Sequence, residues 1–415
     1  MTDAARTTAT ITRLGHQGDG IAEGPLFAPR TLPGETVSGI AEGSRLQDIR
    51  IEAPSDQRVQ PPCRHYKACG GCQLQHASDA FVAGWKAEVI RSALGAQGLE
   101  TEFRPVHTSP AQSRRRATFA VRRTKKGAMA GFYGRASDVI TEIPDCQLLE
   151  PALMAALPVA EALAMAGASR KTPLSVTVTA TDSGLDVLVT NGKPLDGPLR
   201  IALAQLAERH RIARLTWDDE PVAMEQPPVL HFGPAPVSPP PGAFLQATRD
   251  GEAALVAAVQ EITRGAKRIV DLFAGCGTFA LPLALGAEVH AAEGERAMIE
   301  ALEAGWRRAK GVKKLTTETR DLFRNPLLAE EFTPFGAAFD AAVIDPPRAG
   351  AEAQVAELAK AQVPVIAYVS CNPVSFARDA KALVSAGYTL DWVQPVDQFR
   401  WSPHTELVAR FSLEQ

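Results

Sequence analysis

The sequence predicts a doubly wound, Rossmann-like α/β domain over residues 246–415, behind a mixed α+β central domain over 56–245 and a small OB-like β-barrel over 1–55. Two patterns carry this reading. After Gln246, the segments RIVDLFAGCGTFALPLA, AEVHAAEGE, FDAAVIDPP and VPVIAYVSCNP each set an apolar, β-branched run ahead of a loop and a helical stretch. That alternation is the sign of a parallel sheet with helices on its faces, and such sheets bind ligands at the carboxyl ends of their strands. Before residue 55, alternating apolar positions (Ile11 and Leu14; Val37 and Ile40) are broken by Gly-Asp-Gly and Leu-Pro-Gly turns. This is the pattern of short antiparallel strands, in a generic β subdomain or a barrel.

At 415 residues the chain has room for two or three separate cores. A net charge of −3 gives no global attraction to polyanions, so any nucleic-acid site must be a local basic patch. No apolar run reaches the length of a membrane span, and MTDAARTTATITRL lacks the apolar core of a signal peptide. The expected compartment is therefore the cytoplasm, where thiols stay reduced. Six cysteines in so long a chain then point to metal ligation or catalysis rather than a disulfide framework.

In the central region we expect a helix over Phe81–Leu94, mostly strand from Pro105 to about Thr190, and a helical stretch over Ala152–Ala166. A hairpin turns at Asp182-Ser183-Gly184, a further helix spans Leu199–Arg211, and the proline-dense run EQPPVLHFGPAPVSPPPGAF marks a boundary. Cys63, Cys69 and Cys72, with Cys146 far downstream, supply four thiolates. From spacing alone zinc and a [4Fe–4S] cluster both fit, and Pro61-Pro62 and Gly70-Gly71 give the turns needed to wrap either. Arg114, Arg115, Arg116, Arg122, Arg123, Lys125 and Lys126 concentrate positive charge, with Phe119, Phe132 and Tyr133 close by. These read either as a solvated strand face or as phosphate contacts with stacking partners for RNA bases, and OB-like barrels also grip RNA.

The strand Arg268–Leu272 runs into a loop in which Gly275 and Gly277 allow close backbone approach to a ligand. Gly275-x-Gly277-x-x-Ala280 also fits a loose dinucleotide pattern, but Asp271 precedes the first glycine. A carboxylate there suits a cationic sulfonium ligand, S-adenosylmethionine, better than a pyrophosphate. Glu293 ends the next strand, placed for ribose hydroxyls, and Asp321 ends the third, near an adenine edge. Asp345-Pro346-Pro347-Arg348 is a stiff loop holding a carboxylate, and Cys371 follows on the next strand in YVSCNP. A lone cysteine is by default a packed thiol. At that strand end it suits nucleophilic addition to C6 of uracil, which makes C5 nucleophilic enough to take a methyl group; the thiol pKa is then expected to be lowered. Glu406 is the candidate base for the C5 proton.

Together LGHQGDGIAEG, CRHYKACGGCQLQH, GFYGRASDVITEIPDCQLL, GAFLQAT, DLFAGCGTFALPLA, DPPRAG and VSCNP resemble the RNA uracil-C5 methyltransferase family, specifically its iron–sulfur branch acting on 23S ribosomal RNA, over nearly the whole chain. The resemblance implies a class I methyltransferase domain behind a TRAM-like barrel. It implies Cys371 as nucleophile and Glu406 as base, with Gln246, Phe273, Thr278, Glu293, Asp321 and Asp345 lining the S-adenosylmethionine pocket. It also turns the choice for Cys63, Cys69, Cys72 and Cys146 to a [4Fe–4S] cluster, structural or RNA-positioning because methyl transfer needs no electron. Thr278 stands where relatives usually carry Asn, and RWSPHT before Glu406 departs from the usual pattern. The rivals are a transfer-RNA enzyme of the same chemistry, an RNA cytosine-C5 methyltransferase, and a catalytically idle RNA-binding module. No membrane and no obligate protein partner is expected.

Overall fold

The computed structural model describes residues 6–333 and 338–413. Strands β1 (Arg6–Leu14), β2 (Gly20–Ala22), β3 (Leu26–Ala28), β4 (Thr36–Glu42) and β5 (Arg45–Ala53) close into a barrel in the order β1-β2-β3-β5-β4. Ile11, Ala22, Ala28, Val37 and Leu46 fill it, so of the alternating positions Ile11 and Val37 face inward, while Leu14 packs with Leu32 and Leu74 in a neighbouring cluster and Ile40 is only half-buried. The cysteine-bearing loop follows. Helix α1 (Asp79–Gly95) begins where the Ser78 hydroxyl accepts the Phe81 N–H at 3.2 Å. Its buried positions, Val82, Lys86, Ile90 and Leu94, recur every fourth residue and form one stripe. Strands β6 (Glu102–Phe103) and β7 (His107–Thr108) come next.

The central sheet is built from β8 (Arg116–Arg123), β9 (Ala128–Tyr133), β10 (Ile140–Glu142), β11 (Leu174–Thr181), β12 (Gly184–Thr190), β13 (Ile212–Trp217) and β14 (Glu220–Met224), in the order β10-β9-β8-β11-β12-β13-β14. Helices α2 (Pro151–Ala155), α3 (Leu157–Gly167) and α4 (Gly197–Arg209) accompany it, and α3 and α4 pack on one face. The single helix expected over Ala152–Ala166 is two, because Pro158 opens a new first turn instead of continuing the old one. The hairpin at Asp182-Ser183 forms as expected, and the proline-dense run holds a small hairpin of β15 (Leu230–Phe232) and β16 (Ala235–Val237).

The last region comprises α5 (Arg249–Ile262), β17 (Arg268–Leu272), α6 (Ala280–Leu283), β18 (Glu288–Glu293), α7 (Arg296–Arg308), β19 (Leu315–Thr319), β20 (Ala341–Ile344), α8 (Glu352–Ala361), β21 (Val365–Ser370), α9 (Pro373–Ser385), β22 (Tyr388–Asp397) and β23 (Glu406–Leu413). Its sheet runs β19-β18-β17-β20-β21-β23-β22-β6, parallel from β19 to β21 and antiparallel on both sides of β23. Chain order reverses between β17 and β20, and the crevice beyond their carboxyl ends is where a doubly wound sheet takes its ligand.

The 56–245 boundary drawn from the sequence does not follow the sheets. β6 and β7 pair in parallel with β22, and α1 packs on α9, putting Ile90, Leu94 and Leu99 into the same core as Val270, Ile344 and Tyr368. Burying each aliphatic side chain of that stripe contributes about 1.5–3 kcal/mol, enough to tie residues 79–108 to the C-terminal sheet. Among the described residues no helix is long and apolar enough to cross a membrane.

Candidate active site

The end of β17 and the loop after it set the floor of the site. Phe273 takes a left-handed conformation (φ 62°), followed by Gly275 (56°) and Gly277 (98°). A Cβ on Gly277 would lie 2.7 Å from Leu281 Cδ1, so the loop can pack onto α6 only without a side chain there. The Gly275 N–H donates to Glu293 Oε2 at 2.9 Å, and the Glu295 N–H to Oε1 at 3.0 Å, which locks that carboxylate at the end of β18. Asp321 lies two residues beyond β19 rather than at its end, exposed at the rim, with the Phe323 ring tilted against Phe273 at 5.3 Å.

Past β20 and β21 two loops are tied together. Asn372 Nδ2 donates to Arg348 O at 2.8 Å, and Asn372 Oδ1 caps α9 by accepting the Val374 N–H at 3.1 Å. Asn372 thus fixes the Asp345–Arg348 loop relative to its neighbour Cys371. All eight residues expected in the site, Cys371, Glu406, Gln246, Phe273, Thr278, Glu293, Asp321 and Asp345, line one cavity of about 910 Å³ that also includes Gly275. Cys371 is half-buried and lines this cavity together with Gly275.

The cavity is acidic. Burial, then Glu293, pushes Asp345 up to about 7. Burial, then Asp345, pushes Glu406 up to about 8, with a hydrogen bond from Gln398 opposing. Asp271 is fully buried and lies well above the carboxylate range, first from burial and then from Asp345 and Glu293. Its oxygens find no partner of normal hydrogen-bond geometry, and only the Ala280 N–H offsets the burial. The expectation of a lowered thiol pKa is not met: burial, Glu406 and Asp345 push Cys371 up to about 11 against the pull of Arg348. Too little positive charge faces the sulfur for the protein's own field to ionise it.

Four residues of the site were not singled out from the sequence. Gln398 is buried and bonds Gln246 and Glu406. Phe399 and His404 form part of the wall beside Cys371, edge to face at 5.8 Å, and Arg348 donates to His404 Nδ1 at 2.9 Å. Phe323 is the fourth. The aromatic residues sit in loops without periodicity, so composition near Glu406 was the one available signal.

The basic segment divides. Arg115 is 1% exposed, ion-paired with Glu252 at 2.5 Å and bonded to Gln246 O at 3.1 Å, so it fastens β8 to the cavity wall instead of meeting phosphate. Arg116 donates to Gly242 O at 3.0 Å, and Arg114 lines the cavity over the Phe399 ring. Phe119 is fully buried and stacks at 5.7 Å on the half-buried Phe132, because it shares strand parity with Ala117 and Val121. That removes Phe119 as a base-stacking residue; Tyr133 is exposed, as are Lys125 and Lys126.

The cysteines gather at the edge of the central sheet. Arg64 and His65 ion-pair with Asp145 at 2.9 and 2.5 Å, which draws the Cys63 loop to Cys146. Gly70 donates to Tyr133 O at 2.9 Å at a point where a Cβ would come within 2.7 Å of that oxygen. Cys69 Sγ accepts the Gly71 N–H at 3.3 Å and Cys146 Sγ the Leu148 N–H at 3.5 Å. Burial and the neighbouring thiols raise Cys69 and Cys146 and push Cys72 up to about 12. Among the described residues no three such side chains are drawn into a closed ligand set.

Residues 240–410 match the sequence profile of the family described as tRNA (Uracil-5-)-methyltransferase. An "uncharacterized RNA methyltransferase" of Rhizobium meliloti is 44% identical, over 97% of this chain and 98% of its own. The 23S rRNA (uracil(1939)-C(5))-methyltransferase RlmD of Shewanella piezotolerans is 33% identical, over 99% of this chain and 96% of its own. Among solved structures, Pyrococcus abyssi tRNA (uracil-54, C5)-methyltransferase, in complex with S-adenosyl-L-homocysteine, superposes with a TM-score of 0.74 at 23% identity, covering 97% of this chain and 99% of that one, which is a likeness of fold. With relatives this similar over almost its full length, the chain belongs to the RNA uracil-C5 methyltransferase family.

Proposed function

We propose that the cavity transfers a methyl group from S-adenosylmethionine to C5 of a uridine in 23S ribosomal RNA, with Cys371 as nucleophile and Glu406 as base. The observation that carries this is one cavity holding the half-buried thiol, the buried Glu406 and the glycine loop at the point where strand order reverses. Gln246, Phe273, Thr278, Glu293, Asp321 and Asp345 would hold the donor. Glu293 would face ribose hydroxyls and Asp321 the adenine edge, and the donor, when bound, supplies an electrophilic methyl on sulfur. Cys371 Sγ, its proton released to solvent, would add to C6 of the uracil as thiolate; the electron pair of C5=C6 would take the methyl at C5 as the methyl–sulfur bond breaks and S-adenosylhomocysteine leaves; Glu406 would then remove the C5 proton so that C5=C6 re-forms and the C6–S bond breaks. Burial and the neighbouring carboxylates hold the thiol pKa up, so a cation across the cavity or protonation of Asp345 would favour the thiolate. The target base must leave its stack to reach the thiol. Ribosomal RNA is favoured by the Shewanella relative, which aligns end to end.

Cys63, Cys69, Cys72 and Cys146 are proposed to hold a [4Fe–4S] cluster that shapes the RNA-binding edge. Cys69, Cys72 and Cys146, which burial and neighbouring thiols disfavour as free thiolates, would be stabilised in that form by a cationic centre, and this supports the reading.

Incubation with 5-fluorouridine RNA and S-adenosylmethionine tests the mechanism. The C5 fluorine blocks the last step, so an SDS-stable methylated adduct is expected from the native chain and none from Cys371→Ala. An adduct that persists in Cys371→Ala refutes the assignment. Mapping 5-methyluridine in RNA from a deletion strain separates ribosomal from transfer RNA.

A further inference from the structure

We infer that Gln398 is the positioning residue of the proton-removal step: its side-chain amide orients the Glu406 carboxylate and joins it, through Gln246, to Asp345. The inference rests on the reading of Glu406 as the base.

Gln398 follows β22 and is 1% exposed, behind the cavity wall that Gln246 and Glu406 line. Its Oε1 accepts the backbone N–H of Ala247 at 2.6 Å and of Thr248 at 3.3 Å. Backbone N–H groups only donate, so the amide has one orientation; flipped, it would set its NH₂ against two donors. Nε2 then has fixed targets, and it donates to Gln246 Oε1 and Glu406 Oε2. Gln246 Nε2 in turn reaches Asp345 Oδ2 at 3.4 Å. Two amides therefore bridge two acids across the site.

The backbone beside Gln398 is held as firmly. Asp397 Oδ1 accepts Lys86 Nζ at 2.5 Å and the Phe399 N–H at 3.1 Å. On the other side, a Cβ on Gly251 of α5 would lie 2.6 Å from Gln398 Cβ, so the helix admits this side chain only because it has a glycine there. Among the described residues Gln398 is the hydrogen-bond donor to Glu406, which leaves Oε1 of that carboxylate without one.

In the step itself one Glu406 oxygen takes the C5 proton, the C–H pair forms C5=C6, and the C6–S pair leaves with Cys371 as thiolate. A donor fixed on the other oxygen favours the ionised carboxylate and holds its plane. The charged and titratable groups around Glu406 are Asp345 after β20, Cys371 after β21, Glu293 at the end of β18, Arg348 and His404 on the facing loops, and Arg114 before β8.

The test compares the native chain with Gln398→Met, which keeps the bulk, and Gln398→Glu, which keeps an oxygen for the Ala247 and Thr248 N–H groups and loses the donor to Glu406. With unsubstituted RNA and S-adenosylmethionine, both variants should lose about tenfold or more in kcat with KM for the donor within about twofold. They should also accumulate a methylated, SDS-stable enzyme–RNA adduct and move the acid limb of the kcat profile to higher pH. The 5-fluorouridine adduct forms before proton removal and should stay at native yield. Native kcat and pH profile in Gln398→Met overturn the inference. So does a fall in kcat matched by lost donor affinity and lost 5-fluorouridine adduct, which marks a merely structural role. No 5-fluorouridine adduct from the native chain defeats the reading of the mechanism, and the inference with it.

Discussion

Lys86→Met breaks one buried ion pair and leaves its partner in place. Lys86 Nζ is fully buried on α1, 2.5 Å from Asp397 Oδ1 and 3.1 Å from Phe399 O, and burial pulls its pKa down against the attraction of Asp397. Methionine keeps the apolar stem but strands a carboxylate that is 2% exposed, with the Phe399 N–H as its remaining donor. Orphaning one member of such a pair costs about 3–5 kcal/mol. The loss has a ceiling, because a stranded carboxyl can take a proton instead: for an ordinary aspartic acid that costs about 4 kcal/mol near pH 7 and about 1.5 kcal/mol near pH 5. The variant should therefore melt roughly 10 °C below the native chain near pH 7, at about 2–4 °C per kcal/mol, and regain more than half of that near pH 5. Adding Asp397→Asn, which retains an acceptor for the Phe399 N–H, should recover most of the deficit at neutral pH. Calorimetric melts of the three proteins at the two pH values decide it. A deficit under about 1 kcal/mol, or one that grows on acidification, refutes the reasoning.

The site acids make stability and activity move in opposite directions with pH. Asp345 and Glu406, raised to about 7 and about 8, hold protons in the folded chain that the unfolded chain has released. Their contribution to stability is full below the ordinary carboxylate range and is lost progressively from that range up to these two values, so the melting temperature should fall between about pH 4 and 8 and level off above. Proton removal needs ionised Glu406, so kcat should rise around pH 8, at the upper end of that fall, and Glu406→Gln should flatten part of the melting profile. For the cysteines, anaerobically purified chain should carry about four iron and four acid-labile sulfide per molecule. Zinc without sulfide would overturn the iron–sulfur reading, and no metal at all would remove the four-thiolate site.

The strands at the ligand-binding crevice were legible because a parallel strand buried on both faces reads as a continuous apolar run. Arg268–Leu272 forms β17 with those bounds, and the residues chosen at the strand ends converge on one cavity. The central domain was less legible. Charge next to aromatic residues suggested RNA contacts, yet strand parity already placed Phe119 with Ala117 and Val121 on the inward face. Arg115 was opaque for another reason: its partner Glu252 lies 137 residues away, and nothing local says that an arginine is paired. The same distance hides Lys86 and Asp397, separated by 311 residues, and with them the attachment of residues 79–108 to the methyltransferase sheet. The direction of the Cys371 shift was missed because it depends on burial and on two acids, Glu406 and Asp345, brought in from other strands.

Those long-range contacts bear on one short segment, the loop between β22 and β23 that carries Gln398, Phe399, His404 and leads into Glu406. Lys86 holds its start, and Arg400 binds Asp79 at 2.6 Å and Ser109 O at 3.1 Å. The Trp401 carbonyl accepts the N–H groups of Gln73 and Leu74, at 2.8 and 2.9 Å, immediately after Cys72. Trp401 itself sits at φ 60°, a conformation costing a non-glycine residue about 1–3 kcal/mol unless its surroundings hold it. Two hydrogen bonds from the cysteine loop are such a restraint. The loop before Glu406 is thus shaped by residues at least 291 positions earlier in the chain. On this geometry, whatever orders Cys63–Cys72 also acts on the loop that leads to Glu406, which gives the cysteine site a physical route to catalysis that requires no electron transfer.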